Sequence, residues 1–244
     1  MDLRIVGLSG LPEVHSGDSL AALIRAAVER SNEPLGPQTV VVVAQKIVSK
    51  AEGAIVDLRS IQPTPFAEQW AAQWQKDARL VELALRQSRR IVRMDRGVLI
   101  TETHHGFVAA NAGVDQSNVP GDHFATVLPA DSDASARTLR QELGCGAVIV
   151  SDTFGRPWRE GLVNVAIGVS GMDALQDLRG TTDRNEHPLN ATIIARADEL
   201  AAAAGLVMAK SAGVPVALIQ GLEWAPAEGS SAALIRTAER DLFR

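Results

Sequence analysis

What this chain of 244 residues lacks narrows it first. It has a single cysteine, Cys145, so no intrachain disulfide can form and nothing suggests an oxidising compartment. Its net charge of −5 is spread without blocks, which leaves no basic face for nucleic acid or an anionic membrane. No apolar run approaches the ~18 residues needed to span a bilayer. The opening Met1-Asp2-Leu3-Arg4-Ile5 lacks the charged-then-apolar pattern of a signal peptide. The expectation is a soluble, cytoplasmic protein with no nucleic-acid or membrane partner. Familiar site motifs are missing too: Gly-x-x-x-x-Gly-Lys-Ser/Thr, a Gly-x-Gly-x-x-Gly after a strand, and Gly-x-Ser-x-Gly do not occur. His104 and His105 are adjacent, expected on opposite sides of a strand, and give no zinc spacing. Cys145 stands between two glycines without an evident histidine partner and reads as a buried structural thiol.

What is present is a chain that is 46% hydrophobic and 22% charged, enough for a sizeable core in one large domain or two interleaved ones. Leu3–Leu8 reads as a strand, followed by a helix capped at Asp18 or Ser19 with Leu20, Leu23, Ile24, Ala27 and Val28 on one face. Thr39–Ala44 is a strand apolar throughout, hence buried on both sides. Ala54–Leu58 is a further strand. Pro65–Gln87 is expected as one long helix whose Phe66, Trp70 and Trp74 form a core or subunit contact. Arg89–Met94 and Val98–Thr101 should pair around the turn Asp95-Arg96-Gly97. After them come a strand at Phe124–Leu128, a helix from the cap Asp131-Ser132-Asp133 to Leu143, and strands at Ala147–Ser151 and Val163–Val169. Asp173–Asn190 is polar and irregular. Thr192–Ala212 reads as a helix, Val214–Ile219 as the last core strand and Ser230–Phe243 as a terminal helix.

Two stretches carry the chemistry. His104 to Asn118 ends a short apolar strand in a loop rich in glycine, asparagine, serine and one acid, the composition of a backbone bending closely around something polar. Val148 to Arg159 delivers a second acid at another strand end. Asp115, Asp152 and the Thr153 hydroxyl suit hard cations such as magnesium or manganese. Acids at strand ends also simply cap helices and turns. Lys46 and Lys50, in the polar stretch after the Thr39–Ala44 strand, could meet phosphate or sit on a solvated helix start.

His105-Gly-Phe-Val-Ala-Ala-Asn-Ala-Gly-Val-Asp-Gln-Ser-Asn118 and Ser151-Asp-Thr-Phe-Gly-Arg-Pro-Trp-Arg-Glu-Gly161 closely resemble the coenzyme F420-0:L-glutamate (gamma-glutamyl) ligase family. So do Ile47-Val-Ser-Lys-Ala-Glu-Gly53, Gly10-Leu-Pro12 with Gly17-Asp18, and the segment from Ala197 to Val207. The similarity runs from about Gly7 to Gly221. It implies an α+β fold with mixed and antiparallel sheets, packed helices and two interleaved subdomains, in an intertwined homodimer with the site near the interface. It further implies GTP-dependent addition of L-glutamate to coenzyme F420-0, then gamma-linked addition of another, through an acyl phosphate. A divalent metal (manganese or magnesium) would assist, with potassium a further candidate ion. By position, the metal ligands would be Asp115, Asp152 and Thr153. The GTP contacts would be Leu11, Pro12, Glu13, Val14, Gln45, Lys46, Lys50 and Asn118, with the segment from Met208 through Ala209 and Lys210. Lys50 and Arg156 are the catalytic candidates, Arg156 on chemistry alone as a clamp on phosphate or the acceptor carboxylate. Glu160, Glu186 and His187 are candidates for a general base by reach.

Three departures stand out. Ala209-Lys210 replaces the Gly-Gln whose glutamine ligates metal in the family, Gln45-Lys46 stands where small hydroxyl residues are common, and Arg184–Asn190 replaces a Tyr-Gly-Arg-Glu-Leu stretch. The chain ends at Arg244 and resembles the stand-alone form, without the flavin domain fused to some members. Two readings of other classes stay open: a metal-dependent phosphohydrolase at Asp115 and Asp152, and a nucleotide-binding protein without turnover, which Lys210 favours.

Overall fold

Val40–Val43, Ala147–Val150 and Val216–Ile219 are apolar at every position and wholly buried, which strands achieve only when both faces of their sheet are covered. The computed structural model, which describes residues 2–119, 121–208 and 213–242, accounts for the cover. The chain runs β1 (Arg4–Leu8), α1 (Leu20–Ser31), β2 (Thr39–Ala44), α2 (Gln45–Ala51), β3 (Ile55–Asp57), α3 (Pro65–Trp74) and α4 (Ala78–Arg86). Next come β4 (Ser88–Asp95), β5 (Val98–Thr103), β6 (Val108–Ala110), β7 (Phe124–Thr126) and α5 (Ser132–Leu143). The last part holds β8 (Ala147–Arg156), β9 (Arg159–Ser170), β10 (Gln176–Asp177), β11 (Ile193–Ile194), α6 (Arg196–Gly205) and β12 (Val216–Gln220).

The central sheet has the order β1-β12-β2-β8-β9, and within it β2 and β8 are the parallel neighbours. Alternation along the strands sorts their side chains. Val41, Val43, Val148, Val150, Val216 and Leu218 face α1, α2 and α5. Val40, Val42, Ala147, Ile149, Ala217 and Ile219 face α6. Each fully buried valine, leucine or isoleucine contributes about 1.5–3 kcal/mol, so this sheet is the main source of stability. Smaller antiparallel sheets, β4-β5-β6, β3-β7 and β10-β11, lie outside it. The architecture is thus α+β with mixed and antiparallel sheets. Among the described residues no helix is long and apolar enough to cross a membrane.

The caps fall where the side chains allow. Ser19 accepts from the Ala22 amide and opens α1, and left-handed Asn32 ends it. Asp131 accepts from the Ala134 amide to open α5. Four expected elements differ. The single helix Pro65–Gln87 is two, because Gln75 turns left-handed and Asp77 caps a new helix through the Arg79 amide. The break folds the pair into its own small cluster of Ala67, Ala71 and Val81, with Trp70 against it and Phe66 half exposed. The helix expected from Thr192 begins at Arg196, since Ile193 and Ile194 pair with Gln176 and Asp177. It also stops early, at Gly205, with Leu206 to Met208 described and no longer helical, and the remainder of its expected length, 209–212, lies outside the described residues. The terminal helix Ser230–Phe243 is replaced by 3-10 turns at Ser231–Leu234 and Ala238–Arg240. Asp133 holds the Ser230 hydroxyl and the Ser231 amide, and the chain then runs extended at Ile235, which packs on the core. Phe243 lies outside the described residues. Finally, β8 does not stop at Ser151 but runs on to Arg156 as a hairpin with β9. His104 and His105 lie in the turn between β5 and β6 rather than on a strand, their Nε2 atoms 3.0 Å from the Arg86 carbonyl and 2.9 Å from that of Pro129 respectively.

Candidate active site

The parallel pair ends at Ala44 opposite Ser151. Beyond that pair the backbones part, and polar side chains can stand at the carboxyl ends of parallel strands, where open α/β sheets hold their ligands. A cavity of about 490 Å³ opens there, a volume suited to a small-molecule ligand. It is walled by Leu11, Pro12, Glu13 and Val14 after β1, by Gln45, Lys46 and Lys50 of α2, and by Asp115, Ser117 and Asn118. Ser151, Asp152 and Thr153 of β8, Asn164 of β9, Met208 after α6, and Gly213 to Pro215 before β12 also line it. Residues more than 200 positions apart thus share one wall.

Asp115 is placed by its backbone. Asn111, Ala112 and Gly113 are successive left-handed residues, with φ of 51°, 52° and 73°. Ala112 is buried in that conformation at a cost of order 1 kcal/mol, which the surrounding packing sustains. The chain then pairs Asp115 with Thr126 through two backbone hydrogen bonds, 2.9 and 3.1 Å long. Asp115, expected at the exit of a strand, instead follows a strained turn and is clamped to β7. Its carboxylate accepts from the Ser117 amide at 2.7 Å, the Ser117 hydroxyl at 2.8 Å and Lys46 Nζ at 2.7 Å. Partial burial alone would raise its pKa, but Lys46 and the two Ser117 bonds outweigh burial and hold it below the ordinary carboxylate value.

Lys50 and Gln45 are not on a solvated face. The Lys50 side chain is 5% exposed and its ammonium pairs with the far more open Glu13. Leu11 and Val14 pack on the core beside it and leave Pro12 and Glu13 outward. The Gln45 amide is spent on the Ser49 hydroxyl and the Val127 carbonyl, which fixes α2 to the loop after β7.

Asp152 and Thr153 are strand residues past the last β2 pairing. Asp152 accepts from the Thr153 amide at 2.8 Å, and the Thr153 hydroxyl donates to Asn164 Oδ1 at 2.9 Å. Among the described residues the buried Ser151 hydroxyl beside them has no hydrogen-bond partner. Ser117, Ser151 and Asn164 were not singled out from the sequence, although Asn164 and Ser151 each interrupt an apolar strand run. Such a polar break is the signal that could have found them. Arg156 does not reach the cavity wall. It folds back within the hairpin onto the Glu160 and Gly161 carbonyls. Glu186 and His187 sit in an exposed loop whose backbone is gathered by Asp183, not in the wall. Ala209 and Lys210 lie outside the described residues.

Among the described residues no three His, Cys, Asp or Glu side chains cluster as a metal cage. The donors at hand are instead the Asp115 and Asp152 carboxylates with hydroxyl and amide oxygens, the Ser151 hydroxyl unpartnered among the described residues. That set fits magnesium or manganese, which take one or two carboxylates and complete their shells with water and substrate phosphate. The lining also offers two ammonium groups for anionic oxygen.

Sequence comparison agrees on what this arrangement belongs to. The family model described as F420-0:Gamma-glutamyl ligase matches residues 10–221. A protein of Methanothermobacter thermautotrophicus named coenzyme F420:L-glutamate ligase is 45% identical over 252 residues, covering 100% of both chains. The protein of the same name from Methanopyrus kandleri is 45% identical, covering 99% of this chain and 98% of its own. That of Methanocaldococcus jannaschii is 38% identical, covering 99% and 97%. The cavity draws its walls from Leu11 to Pro215, nearly the span that the family model matches, and the chain belongs to the F420-0:gamma-glutamyl ligase family.

Proposed function

We propose that the protein is a GTP-dependent ligase that joins the amine of L-glutamate to a carboxyl of coenzyme F420-0 and then extends the product by gamma-linked glutamate. The observation that carries this reading is the single cavity in which two aspartates, two lysines and the Leu11–Val14 segment converge. Amide formation from a carboxylate needs an activated acyl group. Transfer of the GTP gamma-phosphoryl to the acceptor carboxylate supplies it, and the glutamate amine then displaces phosphate. Phosphoryl transfer depends on positioning and on neutralising charge rather than on a protein nucleophile.

In this reading Lys50, held in a dry wall, and Lys46 meet phosphate oxygens, with Asn118 and residues 11–14 against the rest of the nucleotide. Asp115, Asp152 and Thr153 would hold divalent metal, manganese or magnesium, which when bound would supply positive charge to offset that of the phosphates. The same reading carries an intertwined homodimer of interleaved subdomains in the cytoplasm, and gel filtration with light scattering tests the dimer.

The decisive experiment incubates the protein with GTP, manganese, L-glutamate and F420-0 and follows products by mass. Glutamyl addition with matching GDP release is expected. GDP release that ignores glutamate would replace the ligase by a phosphohydrolase, and bound GTP without turnover would leave a nucleotide-binding protein.

A further inference from the structure

Two carboxylates of the cavity already carry an ammonium. Glu13 carries Lys50, and Asp115 carries Lys46. The second pair is the more elaborate. Lys46 Nζ stands 2.7 Å from Asp115 Oδ2 and 2.6 Å from the Ser117 carbonyl, and it also donates to the Ser117 hydroxyl. A compact positive charge met by three oxygens, one of them anionic, draws on the kind of donor that a hard cation also takes. Lys46 and the Ser117 hydroxyl take Oδ2 and the Ser117 amide takes Oδ1, so a divalent ion on either oxygen of Asp115 would stand close to the ammonium, and the two would repel. One of them must leave before the other can bind.

We propose that Lys46 is a tethered placeholder for metal: it occupies Asp115 while the site is empty and yields it when nucleotide phosphate takes the ammonium, so that metal and nucleotide bind cooperatively. The inference rests on the reading of metal and nucleotide given above and adds the coupling between them. Mobility falls on the right partner. Lys46 rises from the first turn of α2 on a four-carbon stem, its side chain 18% exposed, and can swing without a backbone change. Asp115 cannot follow, being clamped to Thr126 and to the Ser117 amide. The exchange trades one carboxylate–ammonium pair for a carboxylate–metal pair and an ammonium–phosphate pair. Neither ligand alone achieves this: metal alone displaces an ammonium with nowhere to go, and nucleotide alone strips Asp115 of its partner. Leaving a partly buried charge uncompensated is what each would do, and arriving together avoids it. By linkage the coupling is reciprocal.

Manganese titration followed by the electron-paramagnetic signal of the free ion tests this without turnover. Wild type, Lys46→Met and Ser117→Ala are each titrated with manganese alone and with GDP, correcting for the manganese–GDP complex in solution. Lys46→Met should bind manganese alone about ten-fold tighter than wild type, and the gain that GDP confers should shrink by a similar factor. Ser117→Ala, which removes one of the three oxygens around Lys46, should move both quantities the same way by less. It also serves if Lys46→Met fails a melting control. Manganese affinity in Lys46→Met equal to or below that of wild type, without nucleotide, overturns the proposal. Asp115→Asn separates the two levels of failure. Manganese bound normally by that variant would keep a metal site and overturn the placeholder, whereas no manganese on any of the proteins would overturn both.

Discussion

At their amino ends β2 and β8 are closed to atomic contact, while at their carboxyl ends they part around a cavity of about 490 Å³. At the closed end the Gly146 amide reaches the Gly36 and Thr39 carbonyls, both at 3.1 Å, and Arg140 covers the Gly146 carbonyl at 2.9 Å. A Cβ on Gly146 would lie 2.2 Å from the Pro37 carbonyl oxygen and 2.7 Å from the Trp224 ring. Cys145 beside it is buried, and burial pushes its thiol up to about 11. The open end holds a buried lysine, a serine hydroxyl without a partner among the described residues and a left-handed alanine, features that cost stability wherever they occur. The same two strands therefore divide the labour: one end is packed for stability, the other is strained and polar for chemistry.

The comparison breaks most sharply at Asp152. Asp152→Asn should lower ligase turnover at least ~10³-fold, about 4 kcal/mol of transition-state stabilisation, with metal-dependent nucleotide binding lost and the melting temperature nearly unchanged. An equal fall in melting temperature with and without metal would make Asp152 a structural residue. Gly146→Ala should do the reverse. Forced contact with backbone oxygen should cost about 3 kcal/mol, or roughly 6–12 °C in melting temperature. A thiol reagent that ignores Cys145 in the wild type at pH 8 should label it in this variant, and persistent protection would show that the closed end can yield. Lys50→Met tests whether a buried charge serves binding or folding. Nucleotide affinity should fall about 30-fold, roughly 2 kcal/mol for a charge-assisted hydrogen bond, with little loss of melting temperature since only the open Glu13 is left unpaired. A lower melting temperature with unchanged affinity would make Lys50 a prop.

The smallest effect concerns pH. The folded-state pKa of Asp115 is depressed by Lys46 and Ser117 against the pull of burial, so its ionised form stabilises the fold above the unfolded value near ~4, and that contribution is lost as pH falls through the lower folded value. The gap in urea midpoint between wild type and Asp115→Asn should narrow from pH 7 to pH 3. A gap that stays constant would mean the carboxylate is not what holds that turn.

The closed end was largely legible in the sequence. Val40–Val43 and Ala147–Val150 are unbroken apolar runs, and the α1 face repeats at helical spacing, so composition alone fixes their burial. Side chains that obey a distant partner were not legible. Gln75 breaks a helix that its neighbours favour, because Asp77 caps a second one. Ser230 to Ile235 gives up its helix to Asp133, about a hundred residues away. Arg156 reads as a phosphate clamp and folds back onto its own hairpin carbonyls. At the site, Asp115, Asp152 and Lys50 stand in long motifs and Lys46 reads as a lysine at a strand exit, and the cavity brings the four together. Ser117 and Asn164 acquire their roles only when Lys46 and Thr153 are brought beside them.

The strand order has a consequence for how the molecule comes into being. β12, almost the last element made, lies between β1 and β2, almost the first, and Arg4 pairs with Gln220. Contacts of such sequence separation close slowly, because the loop entropy is spent before the pairing is gained. On the ribosome β1 and β2 must therefore wait, with apolar edges unpaired, until Val216 to Gln220 has emerged. Nascent chains halted short of Val216 should be protease-sensitive throughout, and those released beyond Gln220 should become resistant in one step.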